Sequence, residues 1–236
     1  MNKIINIPAH LVIIPDGNRR WAKKKKLAPW AGHEEGAKNF KVILKTARKL
    51  GIKHVTFWGS SLDNLTKRPL LEKKVLLEIY FKYFQEMLAS REITENKIRV
   101  RVLGRWREQF PAPLVRIIDN CLEKTKKYNR FNLTLLLAYN GDDEMLFAIK
   151  NILRKYANSG KFNARMLKDN LMSRELPPVD LMLRTGGEPH LSNGLLMWDT
   201  RNAQLYFTKT FWPDFSPAEF RKAIRQFGKT ERRLGK

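Results

Sequence analysis

Apolar positions along the 236-residue chain fall into short dry runs separated by longer amphipathic stretches. Residues 10–15 (HLVIIP), 52–61, 97–104, 131–140 and 179–187 read as strands, and 203–215 (AQLYFTKTFWPDF) as the end of the sheet region. Between them, residues 33–51, 70–90, 112–129, a stretch reaching about Tyr156, and roughly 217–228 carry helical spacing, the first of them stopping at Gly51. This alternation predicts an α/β fold with a mainly parallel central sheet flanked by helices. The length and the lack of any linker predict one domain across residues 1–236. In open α/β sheets, ligands bind beyond the carboxyl ends of the strands. The segments that matter are therefore Asp16 to Arg20, Ser60 to Asn64, Gly104 to Trp106, Tyr139 to Asp142, and Arg184 to Glu188.

Composition narrows the function classes. The formal net charge is +23. Such a field attracts nucleic acid, anionic lipid or phosphorylated small molecules, or it reflects only a general habit of lysine use. The segment VRVLGRWREQF (100–110) interleaves arginine with aromatics, but no nucleic-acid reader module surrounds it, so a nucleic-acid partner is not expected. Cys121 is the single cysteine, which excludes an internal disulfide and fits a reducing cytoplasm. His10, His33, His54 and His190 share no metal-ligand spacing. The longest apolar run, 133–139, is strand-sized and far below the roughly 18 residues that span a bilayer. The N-terminus has no signal-peptide pattern, so a soluble cytoplasmic protein is expected.

The first strand-end loop, DGNRRWAKKKK, holds one acid among cations. Gly17 permits close backbone approach. A helix starting at Asn18 would turn free N–H groups and a positive dipole end toward an anion. Arg19 and Arg20 suit phosphate oxygens. Asp16 is either a hard oxygen ligand for Mg²⁺ beside a substrate phosphate or only a helix cap beside a solvated lysine face. The loop alone decides nothing between them. It is neither a Walker motif nor a dinucleotide fingerprint.

Several spaced motifs in order resemble the cis-prenyltransferases, the undecaprenyl diphosphate synthase family. They are DGNRRWA at 16–22 with GH at 32–33, SLDN at 61–64 with RP at 68–69, DLMLRTGGE at 180–188, LSN at 191–193, LYF…FWPDF at 205–215, and RRLG at 232–235. The resemblance implies an enzyme that joins isopentenyl diphosphate to an allylic prenyl diphosphate through a Z double bond, with Mg²⁺ and a hydrophobic tunnel beside the sheet. Asp16 would hold the metal. Gly17, Asn18, Arg19, Arg20 and Trp21 would hold the allylic diphosphate, assisted by His33. Ser61, Asp63 and Asn64 would lie at the reacting centre, Asn64 helping proton loss, with Arg68 orienting that loop. Arg184 and Ser192 would bind isopentenyl diphosphate. Arg233 and Gly235 would complete a partner subunit's site, since the family is usually dimeric; a mixed dimer stays open. Tyr80, Phe81, Tyr83, Phe84 and Met87 on the 70–90 helix would wall the tunnel or simply pack the core, and their bulk predicts a short product. A lipid product and a basic surface are compatible with peripheral membrane contact.

The chain departs from the family pattern at Pro29, where an arginine is usual, and at His190, where a basic residue is usual. Gln204 stands in place of a glutamate expected as a second Mg²⁺ ligand, Asp142 in place of an arginine and Leu65 in place of a tryptophan. One extra residue precedes Arg68. Irregular coupling of two allylic diphosphates, or a non-catalytic subunit of a heteromer, are the alternatives to elongation. Asp16 argues against a pure scaffold.

Overall fold

A computed structural model of the chain describes residues 6–156 and 162–230. Its strands are β1 (His10–Ile14), β2 (His54–Trp58), β3 (Ile98–Leu103), β4 (Phe131–Leu136), β5 (Leu181–Arg184) and β6 (Gln204–Phe207). They form one six-stranded sheet in the order β3-β4-β2-β1-β5-β6. Every pairing is parallel. All five residues of β1 and all six of β4 are buried, as expected of strands covered on both faces.

Among the described residues eleven helices connect and flank the strands. The first half holds α1 (Asn18–Lys24), α2 (Pro29–Lys49), α3 (Leu62–Lys67), α4 (Leu70–Ala89) and α5 (Arg91–Glu95). Then come α6 (Trp106–Gln109), α7 (Ala112–Thr125), α8 (Gly141–Tyr156), α9 (Ala164–Asn170), α10 (Met197–Thr200) and α11 (Pro217–Lys229). Helix α2 buries Gly32, Gly36, Phe40, Ile43 and Ala47, one face at three-to-four spacing. Its two glycines let α1 sit against it, since a Cβ on Gly32 would lie 2.0 Å from the Asn18 carbonyl oxygen. Helix α11 starts with a capping box between Ser216 and Glu219 and buries Phe220, Ala223, Ile224 and Phe227.

The expected elements are present with shifted ends. Helix α2 begins at Pro29 rather than His33, because a proline at the first helical position is already set for helix. Strand β6 ends at Phe207, well before residue 215. Thr208 and Thr210 instead accept backbone bonds from Gly187 and Gly186, and a 3-10 turn follows at Trp212–Asp214. No helix among the described residues is long and apolar enough to cross a membrane.

In this strand order the chain runs one way from β1 to β2 and the other way to β5. The crevice at the carboxyl ends of β1 and β5 is therefore the topological switch point, where open sheets of this kind bind ligands.

Candidate functional site

A cavity of about 900 Å³ opens at that crevice. Its wall includes Asp16 to Arg20, His33, Ser60, Ser61, Asp63, Asn64, Arg68, Arg184, Ser192 and Asn193. Nearly all residues singled out from the sequence meet here, drawn from four separate segments.

Asp16 directly follows β1. Gly17, with φ of 104°, turns the chain so that α1 can start at Asn18. No side chain caps α1, so the cap reading of Asp16 fails. Its Oδ1 instead accepts from the Gly17 amide at 2.6 Å and lies 3.1 Å from Arg20 Nη2. Its Oδ2 accepts from Arg184 Nη2 at 2.8 Å. Burial works against ionisation, but Arg184 first and Arg20 next outweigh it and hold the carboxyl below its usual range. Asp16 is thus an anion with 28 % of its side chain still exposed.

Arg184 ends β5 and is 6 % exposed. Besides Asp16 it donates to the His190 carbonyl at 2.6 Å and to Ser192 Oγ at 2.8 Å. Ser192 Oγ lies 3.2 Å from His190 Nε2. Arg20 also pairs with Glu188 at 3.1 Å and stacks over the Phe211 ring. Arginine, acid and serine are thereby set into one rigid corner.

A second cluster forms the opposite wall. Arg68 Nη1 lies 3.1 Å from both His33 Nε2 and Glu72 Oε1. His33 Nε2 is 3.2 Å from Glu72 Oε1, and Arg19 Nε is 3.7 Å from Glu72 Oε2. Burial first and Arg68 second lower the His33 pKa, against the pull of Glu72, so the ring is neutral at pH 7. Glu72 was not among the residues singled out from the sequence. Its signal was present: it lies four residues after Arg68, in the first turn of a helix.

The third segment follows β2. Ser61 accepts from the Asn64 amide at 3.0 Å and so caps α3. Asp63 pairs with Lys67 at 2.8 Å and accepts from Asn193 Nδ2 at 2.9 Å, tying this loop to the one after β5.

Some predicted residues lie elsewhere. Trp21 is absent from the cavity wall; its indole donates to Asp214 Oδ1 at 2.7 Å. Asn18 borders the cavity, but its amide donates to the Pro15 carbonyl. Arg233 and Gly235 lie outside the described residues. Pro29 lines the cavity, Asp142 is exposed at the start of α8, and Leu65 is core. Gln204 opens β6 opposite Leu181, three residues before the level of Arg184. That is roughly 10 Å down the sheet. An acid at position 204 would not reach Asp16 within one chain.

Among the described residues no group of three or more His, Cys, Asp or Glu side chains could hold a metal. A cation here would have one protein carboxylate, Asp16, and would take its other oxygens from substrate and water. Mg²⁺ binds that way; a structural zinc ion does not. The Nε atoms of Arg68 and Arg184 are buried without a hydrogen-bond partner.

The helix expected to wall a tunnel, α4, borders a separate cavity instead. Phe84 is core, at 1 % exposure, while Tyr83 and Met87 line a second cavity of about 260 Å³ between α2, α4 and the sheet. The two cavities share no lining residue. Phe40 of the second cavity packs edge-on against Phe57 at 4.6 Å, which in turn lies 5.4 Å from Trp212. Tyr80 and Leu137 crowd Gly59 at the first cavity.

Comparison with known proteins gives a consistent picture. The prenyltransferase family model for undecaprenyl diphosphate synthases matches residues 14–235. The chain is 35% identical over 235 residues to a tritrans,polycis-undecaprenyl-diphosphate synthase (geranylgeranyl-diphosphate specific) of Pyrococcus horikoshii, covering 98% of this chain and 88% of that protein. It is 35% identical over 233 residues to an isoprenyl transferase of Thermotoga maritima, covering 98% of each. The crystal structure of lavandulyl diphosphate synthase from Lavandula x intermedia, in complex with dimethylallyl diphosphate, superposes with a TM-score of 0.90 at 27% identity over 100% of both chains.

Proposed function

The chain belongs to the undecaprenyl diphosphate synthase family of cis-prenyltransferases, enzymes that elongate a prenyl chain with Z double bonds, and we propose how its residues divide that work. The observation that carries the proposal is the Asp16–Arg184 contact at the switch point, an ionised acid and a buried arginine facing one cavity.

The allylic diphosphate sits on Gly17 to Arg20, with His33 and Arg68 at its side. Isopentenyl diphosphate takes Arg184 and Ser192. Arg68 and Arg184 both line the cavity, and the planar guanidinium fork suits phosphate oxygens, which supports this assignment. Asp16 would hold Mg²⁺, which neutralises charge on the leaving diphosphate. In the reaction, diphosphate departs from allylic C1 with the bonding pair. The isopentenyl double bond attacks C1, and a proton leaves C2. Asn64 borders the cavity and assists that proton loss. Ser61 and Asp63 set the position of Asn64, Ser61 by capping its helix.

The aromatic filling between the two cavities supports a short product. Phe40, Phe57 and Tyr80 stand where a growing chain would run from the first cavity to the second. A homodimer is supported by α8, where Leu146, Ile149, Leu153 and Tyr156 leave one apolar stripe exposed. Arg233 and Gly235 belong to the partner's site in this reading.

Reverse-phase chromatography of products tests the whole. Purified protein with Mg²⁺ and geranyl or farnesyl diphosphate forms product only when isopentenyl diphosphate is added. Product from dimethylallyl diphosphate alone would replace elongation with irregular coupling, and products of ten or more units would remove the short-chain reading.

A further inference from the structure

The rim of the active-site cavity has a character of its own. Lys23, Lys24, Lys25 and Lys26 run consecutively through the end of α1, all exposed. Among the described residues none of the four forms an ion pair with an acid; Lys25 lies over the Trp21 ring. Lys23 and Lys26 border the cavity itself, and Lys67 from α3 adds a third exposed cation to the same mouth. Its pairing with Asp63 makes it the weaker contributor.

Large aliphatic side chains are exposed beside these cations. Leu27 borders the cavity and is 49 % exposed. Its backbone is fixed, because Lys26 turns at φ of 56° and the Leu27 amide donates to the Ala22 carbonyl at 2.9 Å. Leu70 and Leu71, at the start of α4, are 85 % and 56 % exposed. They sit between Arg68, which touches His33, and Glu72, which pairs with Arg19 of α1. They follow directly on Arg68, which lines the cavity.

We propose that this rim is a docking surface for an anionic lipid bilayer. The proposal rests on the prenyltransferase reading, which gives the mouth an apolar product to hand over. Unpaired lysines are complementary to an anionic leaflet, and aliphatic side chains among them enter the headgroup layer. Neither helix is long or apolar enough to span, so contact is peripheral and reversible. The overall +23 charge does not explain why Leu27 stays exposed at the mouth.

Cosedimentation of the full chain with vesicles tests this without substrates, so the outcome is independent of turnover. Vesicles of mixed phosphatidylglycerol and phosphatidylcholine bind the protein. Pure phosphatidylcholine does not, and binding weakens as salt rises from about 0.1 M to about 0.5 M. Lys24→Glu/Lys25→Glu lowers binding at least about tenfold, and Leu70→Ser/Leu71→Ser lowers it too. A control reversal on α11, Arg225→Glu/Lys229→Glu, changes binding little, with circular dichroism melts verifying that each variant folds. Equal loss in the α11 control would assign binding to net charge and overturn the proposal. So would equal binding to neutral vesicles, or tighter retention on duplex DNA at the same salt that Lys24→Glu/Lys25→Glu abolishes.

Discussion

The two walls of the cavity are built from the same chemistry and behave differently. Each centres on one carboxylate among cations. Asp16 sits with Arg20 and Arg184, and Glu72 with Arg19, Arg68 and the neutral ring of His33. Asp16 keeps 28 % of its side chain exposed, whereas Glu72 keeps 5 %. An acid that remains in reach of the cavity can take a ligand's cation. A carboxylate sealed behind its partners cannot, and serves to fix their positions. Burial separates a ligand from a strut.

Removing each acid in turn separates the two roles. Asp16→Asn should lower kcat by about 10³-fold, or ~4 kcal/mol of barrier, while urea unfolding moves little because the amide oxygen still accepts from Arg184. Glu72→Gln should do the reverse. It costs about 3 kcal/mol of stability by leaving Arg68 and Arg19 without their countercharge. It also raises KM for the allylic substrate more than it lowers kcat, and Glu72→Asp restores part of that KM. An unchanged KM would reduce Glu72 to packing alone.

Away from the walls, His10 supplies a control for acid sensitivity. It is buried between the Pro177 carbonyl and Thr56 Oγ1, and burial lowers its pKa from 6.5 to about 4. The unfolded chain therefore binds more protons between these values, and stability falls as pH drops through that window. From pH 7 to 5 this residue accounts for a loss of about 2 kcal/mol. His10→Gln should flatten that slope in urea titrations at the two pH values. Any loss of turnover that outlasts the substitution then belongs to the cavity walls. The smallest effect is at Ser61. As the cap of α3 its replacement by alanine should cost about 1 kcal/mol, with Ser61→Asp recovering it. A serine that instead met substrate would lose kcat in both variants.

How much of this was legible in the sequence differs between the same two walls. The Asp16 corner could be read because Leu11–Ile14 of β1 and Leu181–Leu183 of β5 are unbroken apolar runs, so Asp16 and Arg184 just beyond them stand out. Parallel strands then bring their carboxyl ends together whatever lies between. The Glu72 wall depends on α1, α2 and α4 packing on one another, and helical periodicity does not specify which helices meet. Trp21 was assigned to the diphosphate from the family motif alone; its indole faces Asp214, 193 positions away. Strand β6 was read too long because its apolar pattern continues through Phe211 and Trp212, whose backbone follows the turn against Gly186 and Gly187.

The central claim is that Asp16 is the ligand and Glu72 the strut. Calorimetric titration with a non-ionising allylic thiolodiphosphate, with and without Mg²⁺, tests it most directly. The account predicts that Mg²⁺ tightens binding to the unaltered protein and to Glu72→Asp, and has no such effect on Asp16→Asn. Persistence of the Mg²⁺ enhancement in Asp16→Asn would contradict it.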